Sequence, residues 1–145
     1  MVDETMSARA AAFVDGHPWC VLVTHRRDGG MQASPIRAWL DDDGRIVASS
    51  REVTAKARNL TRDPRFALCS VSPTWHGDWM TAEGEAEIVR QPEAMPLLRA
   101  FYEKRDGSIG SKDEFEARMV EEQRLIVYYN VERCTPERES SPTPR

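Results

Sequence analysis

The chain has 145 residues, of which 40% are hydrophobic and 30% are charged, and this length and composition are typical of one globular domain. Its formal net charge of −4 disfavours bulk binding to nucleic acid or to an anionic membrane surface. No apolar stretch approaches the roughly 20 residues that cross a bilayer, and the acidic N-terminus lacks the basic start of a signal peptide. We therefore expect a cytoplasmic protein with neither a membrane nor a nucleic-acid partner.

The predicted elements begin with a helix over residues 1–15. A hydrophobic pattern of period two follows, and Asp28-Gly29 is a strong hairpin-turn signal. Pro35 in the second strand favours an edge position or a bulge. Strands are predicted at residues 18–26, 31–40, 45–50, 65–72, 79–89 and 125–131. Further helices are predicted at residues 53–62, 93–104 and 112–123.

Six strands with mostly short antiparallel connections predict a mainly β fold. Closure into a small β-barrel with flanking helices is the economical way to hide the edges of such a sheet. The folded domain is expected over residues 1–134. Residues 135–145 contain three prolines and two serines but no apolar anchor, so they are predicted to form a disordered C-terminal tail.

The three cysteines, Cys20, Cys69 and Cys134, are widely spaced and form no C-x-x-C pair. Cys20 and Cys69 lie in apolar runs, where a free cysteine behaves as a small hydrophobic side chain. The three histidines of the chain do not complete a zinc-binding template. We expect no metal site.

A basic island stands out in this acidic chain. Residues 51–65 contain five basic and two acidic side chains, which suggests a small anionic ligand more than a long polyanion. The island begins where a predicted strand, ending in Ser49 and Ser50, passes through Arg51 into a helix. Free backbone N–H groups and the helix dipole attract anions to such an N-terminus.

The helix of the island is predicted from an apolar stripe formed by Val53, Ala57 and Leu60. Lys56 lies beside this stripe, and Asn59 lies on the same side of the helix. Both side chains are therefore candidates for an anion site. A solvated helix with an ordinary N-cap and scattered surface bases is the alternative interpretation.

Together these motifs resemble the flavin and deazaflavin oxidoreductases of the pyridoxamine 5′-phosphate oxidase-like split β-barrel superfamily. The resemblance is closest to the branch that uses the deazaflavin coenzyme F420. It rests on the Asp28-Gly29 turn, the segment SSREVTAKARNLTRDPR, the strand WMTAEGEAEIV with its Glu-Gly-x-Ala signature, and a last strand that ends in Val-Glu-Arg. The matching region covers roughly residues 8–133.

The resemblance implies an FMN-binding-like split β-barrel that forms a homodimer, with each cofactor in a groove between subunits. It implies that the strand-to-helix segment binds the cofactor phosphate, that the second strand runs beside the ring, and that Trp79 lines the same groove or comes from the second subunit. The implied cofactor-binding positions are Gln32, Ser34, Pro35, Ser49, Ser50, Arg51, Lys56, Asn59 and Trp79. Thr54 departs from the pattern, because many relatives carry an arginine there.

The implied function is hydride transfer from reduced F420 to a small electron-poor organic acceptor, with the cofactor carrying the difficult step. Two alternatives stay open: an FMN-binding oxidoreductase or oxidase of the pyridoxamine phosphate type, and a non-catalytic protein that carries a cofactor or a tetrapyrrole. No catalytic residue is assigned; a bound water, His76 or Tyr102 are the candidates for a proton donor. Trp75 and His76, in a predicted loop, are candidates for lining the pocket.

Overall fold

The computed structural model describes residues 4–74 and 77–136. The pocket candidates Trp75 and His76, and the predicted tail after residue 136, lie outside the described residues. In the part of the chain that the structure describes, no helix is long and apolar enough to cross a bilayer.

Within the described residues, seven antiparallel strands form one sheet in the order β2-β1-β5-β6-β7-β4-β3. The strands are β1 (Trp19–His25), β2 (Met31–Arg37), β3 (Trp39–Leu40), β4 (Ile46–Arg51), β5 (Arg65–Val71), β6 (Trp79–Val89) and β7 (Arg124–Thr135). The helices are α1 (Glu4–Gly16), α2 (Ala55–Arg62), α3 (Ala94–Asp106) and α4 (Lys112–Glu121).

The two edges of this sheet are consecutive parts of one chain segment. β2 pairs with β1 at one edge, β3 pairs with β4 at the other, and Ala38 alone separates β2 from β3. The sheet therefore curls until its edges approach each other, which confirms the predicted mainly β barrel with flanking helices. The prediction of one strand over residues 31–40 is wrong at Ala38, where the backbone N–H donates to the Pro18 carbonyl at 2.8 Å. Pro35 lies in the edge strand β2, as predicted.

Side chains that alternate along the strands fill the barrel interior, and α1 and α2 cover parts of it. This main cluster includes Leu22, Leu68 and Val127 from strands, Val14 from α1 and Leu60 from α2. Because such side chains leave water completely, their burial supplies most of the favourable free energy of folding.

A second apolar cluster lies outside the barrel, where α3 and α4 pack against β4 and β7. It includes Leu98 and Phe101 of α3, Met119 of α4 and Ile126 of β7. In the described residues, no helix covers the outer face of β1, β2, β5 and β6 in this way. Five large apolar side chains on that face are between 42% and 67% exposed: Trp19, Val21, Met31, Val71 and Trp79. These five residues are called the outer apolar face below.

The pairing of β6 with β7 contains a β-bulge at Gly84. The register shifts between Glu83, which pairs with Arg133, and Gly84, which pairs with Val131. A Cβ atom at position 84 would collide with the backbone carbonyl oxygen of Asn130. The Glu-Gly-x-Ala signature therefore has a structural reason, because glycine alone lets β7 approach β6 this closely.

Candidate functional site

The helix that carries the basic island begins later than predicted. Thr54 is its N-cap, since its hydroxyl accepts a hydrogen bond from the Ala57 backbone N–H and donates one to the Arg51 carbonyl. Val53 lies before the cap and is 47% exposed, so its predicted place in a buried stripe is wrong. Ala57 and Leu60 are buried as predicted. The threonine thus stabilises the first turn of α2 and places Lys56 in it.

Three cations meet where β4, β7 and α2 come together. Arg51 and Arg124 are partners across the β4–β7 ladder. Arg51 donates to the Glu122 carbonyl at 3.2 Å, and Arg124 donates to the Glu122 carboxylate at 3.3 Å. Burial of the ammonium group, and secondarily the positive charge of Arg124, lower the pKa of Lys56. We call Arg51, Lys56 and Arg124 the cation cluster.

Lys56 has neither a hydrogen bond nor an ion pair with any other described residue. Its ammonium group is therefore partly desolvated and lacks a compensating negative charge. Both conditions raise the energy of the charged form, and an anion bound beside it would reverse the effect. Because Arg51 and Arg124 lie nearby, such an anion would gain favourable interactions with more than one cation.

The two serines at the end of β4 face opposite sides of the sheet, as successive strand residues do. Ser50 is buried, with its Oγ 3.2 Å from the hydroxyl oxygen of Thr54. Ser49 faces α3, with its Oγ 3.1 Å from the hydroxyl oxygen of Tyr102. The pair of serines therefore links the start of α2 to the inner surface of α3.

Asn59 connects α2 to the first hairpin. Its buried side-chain amide donates to the Thr24 hydroxyl and to the Gln32 side-chain oxygen, both at 3.1 Å, and its oxygen accepts from Arg62. Gln32 and Asn59, both predicted as cofactor-binding residues, are thus bonded to each other. In this arrangement they fix the position of α2 against β2.

The remaining predicted residues lie on two different strands. Ser34 and Pro35 are in β2, opposite Leu22 and Val21 of β1. Trp79 is on the outer face of β6, and β1 and β5 separate β6 from β2. Since neighbouring strands are about 4.8 Å apart, Trp79 lies about 14 Å from β2 across the sheet. Arg124 lies beyond Ile126, which is opposite Val89 at the other end of β6, so within one chain Trp79 is also far from the cation cluster.

A groove of about 710 Å³ lies between the β1–β2 turn and α2. We call it the arginine groove after four residues that line it: Arg26, Arg27, Arg58 and Arg62. The acidic side chain in its lining, Glu52, is paired with Arg90 at 3.0 Å. The groove therefore keeps an excess of positive charge, and its lining residue Ala55 directly precedes Lys56 in α2.

A second groove, of about 450 Å³, lies between β2, β3, β4 and α3. We call it the tryptophan groove, and its lining includes Trp19, Arg37, Trp39, Ser49, Phe101, Tyr102, Arg105, Asp106 and Arg124. Ser49 and Arg124 connect it to the cation cluster. The tryptophan groove thus adjoins the cation cluster through Arg124, and the arginine groove runs along α2 on from Ala55.

Sequence reasoning missed Arg37, Arg105 and Arg124 and considered Tyr102 as a proton donor only. The position of Arg37 beside Trp19 could have been predicted from the sequence, because the Asp-Gly turn fixes the register of the hairpin and makes these two residues partners. The other three residues enter the site through the docking of α3 and the β4–β7 pairing, which no local pattern signals.

Residues 6–135 match the family model described as pyridoxamine 5′-phosphate oxidase. The chain belongs to this family. The match agrees with the superfamily indicated by the sequence motifs, and the family includes oxidoreductases.

Several solved structures are similar to this member of the pyridoxamine 5′-phosphate oxidase family. A conserved hypothetical protein from Mycobacterium tuberculosis is 25% identical, with a TM-score of 0.70 over 92% of this chain and 83% of that chain. An F420 reductase is 18% identical, with a TM-score of 0.60 over 86% and 94%. A heme storage protein from Vibrio cholerae is 14% identical, with a TM-score of 0.65 over 88% and 91%. At these last two identities, the likeness shows the fold alone.

The residues of this pyridoxamine 5′-phosphate oxidase-family chain fit a cofactor that carries a phosphate group. The uncompensated Lys56 ammonium supplies the charge, and Arg51 supplies a planar guanidinium. The hydroxyl groups of Ser50 and Thr54 are bonded within the fold and hold the start of α2 in place. A metal ion has no comparable support: among residues 4–74 and 77–136, no group of three His, Cys, Asp or Glu side chains could hold one.

Proposed function

We propose that the chain is an oxidoreductase that binds reduced coenzyme F420 and transfers a hydride from it to a small electron-poor organic acceptor. The observation that carries the proposal is the uncompensated ammonium of Lys56, which lies near Arg124, the ladder partner of Arg51, in a barrel of the pyridoxamine 5′-phosphate oxidase family. When bound, the reduced cofactor supplies the hydride, and the protein supplies position and a dry pocket.

The cofactor phosphate is assigned to the cation cluster. Lys56 neutralises one phosphate oxygen, and Arg51 offers two N–H donors. Ser50 and Thr54 support this site indirectly, because their hydrogen bonds hold the start of α2. The ring is assigned to β2 beside Pro35, whose side chain lies on the same face as Arg37 of the tryptophan groove, whereas Ser34 faces the opposite side of the strand. In this placement the hydrogen bond between Gln32 and Asn59 fixes the position of α2 relative to β2.

The arginine groove favours F420 over FMN. The FMN molecule ends at its phosphate, whereas F420 continues beyond its phosphate into a tail of carboxylates. A tail that leaves the cation cluster along α2 enters a groove with four arginines, of which Arg27 and Arg58 have no ion-pair partner among the described residues. Carboxylates there would gain charge-assisted hydrogen bonds.

The outer apolar face supports the proposed homodimer. Monomeric proteins rarely leave so many large apolar side chains together on one surface. The same face is bordered by charges of both signs, including Arg65, which pairs with Glu85 across the β5–β6 ladder, and Glu83, which pairs with Arg133. A surface that carries both positive and negative charges can be complementary to itself in a dimer with two-fold symmetry. A second copy would also bring its own Trp79 towards a neighbouring groove.

The test is a set of fluorescence titrations of the cofactor-free protein with F420, FMN and haemin. We expect saturable binding that is tighter for F420 than for FMN. Arg58→Gln should weaken F420 binding and leave FMN binding unchanged, since FMN does not reach the arginine groove. Lys112→Gln, at the exposed start of α4, is the control. Tighter binding of FMN than of F420 would contradict the proposal and favour an FMN-binding oxidoreductase. Binding of haemin alone would favour a non-catalytic protein that carries a tetrapyrrole.

Hydride transfer needs a separate measurement. In a stopped-flow experiment, reduced F420 bound to the protein is mixed with a quinone acceptor, and its oxidation is followed by absorbance. We expect bound cofactor to be oxidised faster than cofactor in free solution. Equal rates with every acceptor tried would contradict catalysis and favour a cofactor carrier.

A further inference from the structure

The tryptophan groove contains an arginine, Arg37, that packs against two indole rings and forms no ion pair with a described residue. The guanidinium carbon of Arg37 lies 4.3 Å from the centroid of the Trp39 ring and 5.2 Å from that of the Trp19 ring. Among residues 4–74 and 77–136, no hydrogen bond or ion pair engages the guanidinium group of Arg37. The two indoles therefore restrict this side chain while its N–H donors stay free.

The other charged side chains of the groove are already paired. Arg105 is bonded to Asp106 at 2.8 Å and 3.0 Å, and Arg124 is bonded to Glu122 at 3.3 Å. The pKa of Asp106 is lowered mainly by its hydrogen bond from Arg105 and to a smaller extent by the charge of Arg37. Arg37 therefore lies near this carboxylate but forms no ion pair with it, and its own N–H donors remain available. A guanidinium fork binds a carboxylate through two parallel hydrogen bonds, and a side chain that is held in place loses less entropy when it does so.

The walls of the groove suit a flat ring system. Trp19, which is 63% exposed, and the half-buried Trp39 contribute aromatic surface, whereas Phe101 and Tyr102 are buried. The volume of about 450 Å³ lies within the range of small-molecule sites. The hydroxyl groups of Ser49 and Tyr102, 3.1 Å apart, share one hydrogen bond. One of the two hydroxyl hydrogens therefore remains free to donate to a carbonyl oxygen in the groove.

We propose that the tryptophan groove is the acceptor-substrate site and that it selects planar conjugated carbonyl compounds bearing a carboxylate. Arg37 binds the carboxylate, the aromatic walls hold the ring system, and the hydroxyl pair of Ser49 and Tyr102 binds the carbonyl oxygen. The proposal rests on the proposed function for the role of the ligand as hydride acceptor. It places this ligand beside the cofactor, because Ser49 belongs both to the groove and to the strand end that leads to the cation cluster.

Calorimetric titration tests the anion requirement directly. The probes are 9,10-anthraquinone-2-carboxylate and its neutral carboxamide, which differ little in shape. We expect the wild-type protein to bind the carboxylate at least about tenfold more tightly, which is the usual size of a charge-assisted hydrogen-bond contribution. Arg37→Gln should abolish this preference, and Arg37→Lys should restore a part of it, since lysine keeps the charge but not the fork. Equal affinity of the wild-type protein for the two probes would overturn the proposal.

The control is Arg45→Gln, because the guanidinium of Arg45 also lies over an aromatic ring, that of Tyr128, but outside this groove. It should keep the full preference for the carboxylate; loss of the preference in this variant as well would contradict a specific role for Arg37. Circular dichroism of each variant establishes that it is folded. Arg37 is exposed on an edge strand, so we expect its variants to fold.

The titrations are carried out with and without F420, which separates the two proposals. Carboxylate selectivity through Arg37 without any F420 binding would support the groove as an anion site and refute the cofactor assignment. Binding of F420 without carboxylate selectivity would support the cofactor assignment and refute the substrate class.

Discussion

At the scale of single residues, Lys56 combines features that lower stability and favour binding. Its ammonium group is half-buried, its pKa is lowered by burial and by Arg124, and it has no partner among the described residues. A folded-state pKa below the unfolded value means that the unfolded chain holds the proton more tightly. The cost to folding is therefore present below the folded pKa and disappears as the pH rises towards 10.5, the ordinary lysine value.

Replacing Lys56 by a neutral side chain of similar length should remove this cost. We predict that Lys56→Met raises the free energy of unfolding of the ligand-free protein at pH 7 by roughly 0.5 to 1 kcal/mol. The same variant should lose affinity for a phosphate-bearing cofactor. Urea denaturation of both proteins measures the change. A less stable Lys56→Met protein would mean that the ammonium group already has a favourable partner.

Gly84 is a second residue whose role depends on a close contact. Gly84→Ala places a methyl group against the Asn130 carbonyl in β7, and we predict a loss of at least about 2 kcal/mol of stability. Gly16→Ala is the matched control, because a Cβ at Gly16 meets nothing within 4 Å. Thermal unfolding followed by circular dichroism compares the two. Equal melting temperatures would show that β7 can shift away without cost.

At the scale of elements, both ends of α2 are held by side chains. Thr54 caps its start, and Asp63, which follows its end, accepts from the backbone N–H and the guanidinium of Arg65. These bonds lower the pKa of Asp63 to about 2, from an ordinary value of 3.8. The end of α2 is thereby tied to the start of β5, which keeps the helix in place beside the candidate site.

The lowered pKa of Asp63 predicts a pH dependence with a definite sign. A carboxyl whose folded pKa is depressed stabilises the folded state above about pH 4 and loses that contribution as the pH falls through about 2. We predict that Asp63→Asn is modestly less stable than the wild type at pH 7 and that the difference shrinks between pH 4 and pH 2. Denaturant titrations across that range measure it, with Asp42→Asn in the exposed β3–β4 turn as control. A difference that is constant with pH would contradict the ion pair.

Local patterns predicted the elements well, because alternation, turns and caps are properties of neighbouring residues. The strands, the Asp28-Gly29 hairpin and the basic helix start are of this kind. The parts that failed depend on distant contacts: the bend at Ala38 arises because the two halves of one segment serve opposite sheet edges. Tyr102 reaches Ser49 across 53 positions of sequence, and no local period carries that information.

At the scale of the whole molecule, the covering of the barrel is uneven. α3 and α4 bury the outer surface of β4 and β7, whereas the outer apolar face stays exposed in the described residues. The tryptophan groove shares Arg124 with the cation cluster, and the arginine groove runs along α2. A second copy on the outer apolar face would therefore cover Trp19, which belongs both to that face and to the tryptophan groove.

We predict that the protein is a dimer in solution and that the double variant Val21→Glu, Val71→Glu is monomeric, because two buried carboxylates per chain would oppose association. Val120→Glu is the control, since Val120 is 60% exposed on α4, away from that face. Sedimentation equilibrium gives the masses. A wild-type protein that stays monomeric at micromolar concentration, or a double variant that stays dimeric, would contradict the assignment of this face.

The most direct test of the account asks whether Lys56 recognises the phosphate of a deazaflavin. Wild-type protein and Lys56→Ala are each titrated with F420 and with the deazaflavin chromophore that lacks the phosphate and the tail. We predict that Lys56→Ala weakens F420 binding by about tenfold or more and leaves binding of the phosphate-free chromophore unchanged. Equal losses for both ligands, or a wild-type protein that does not bind F420, would contradict it.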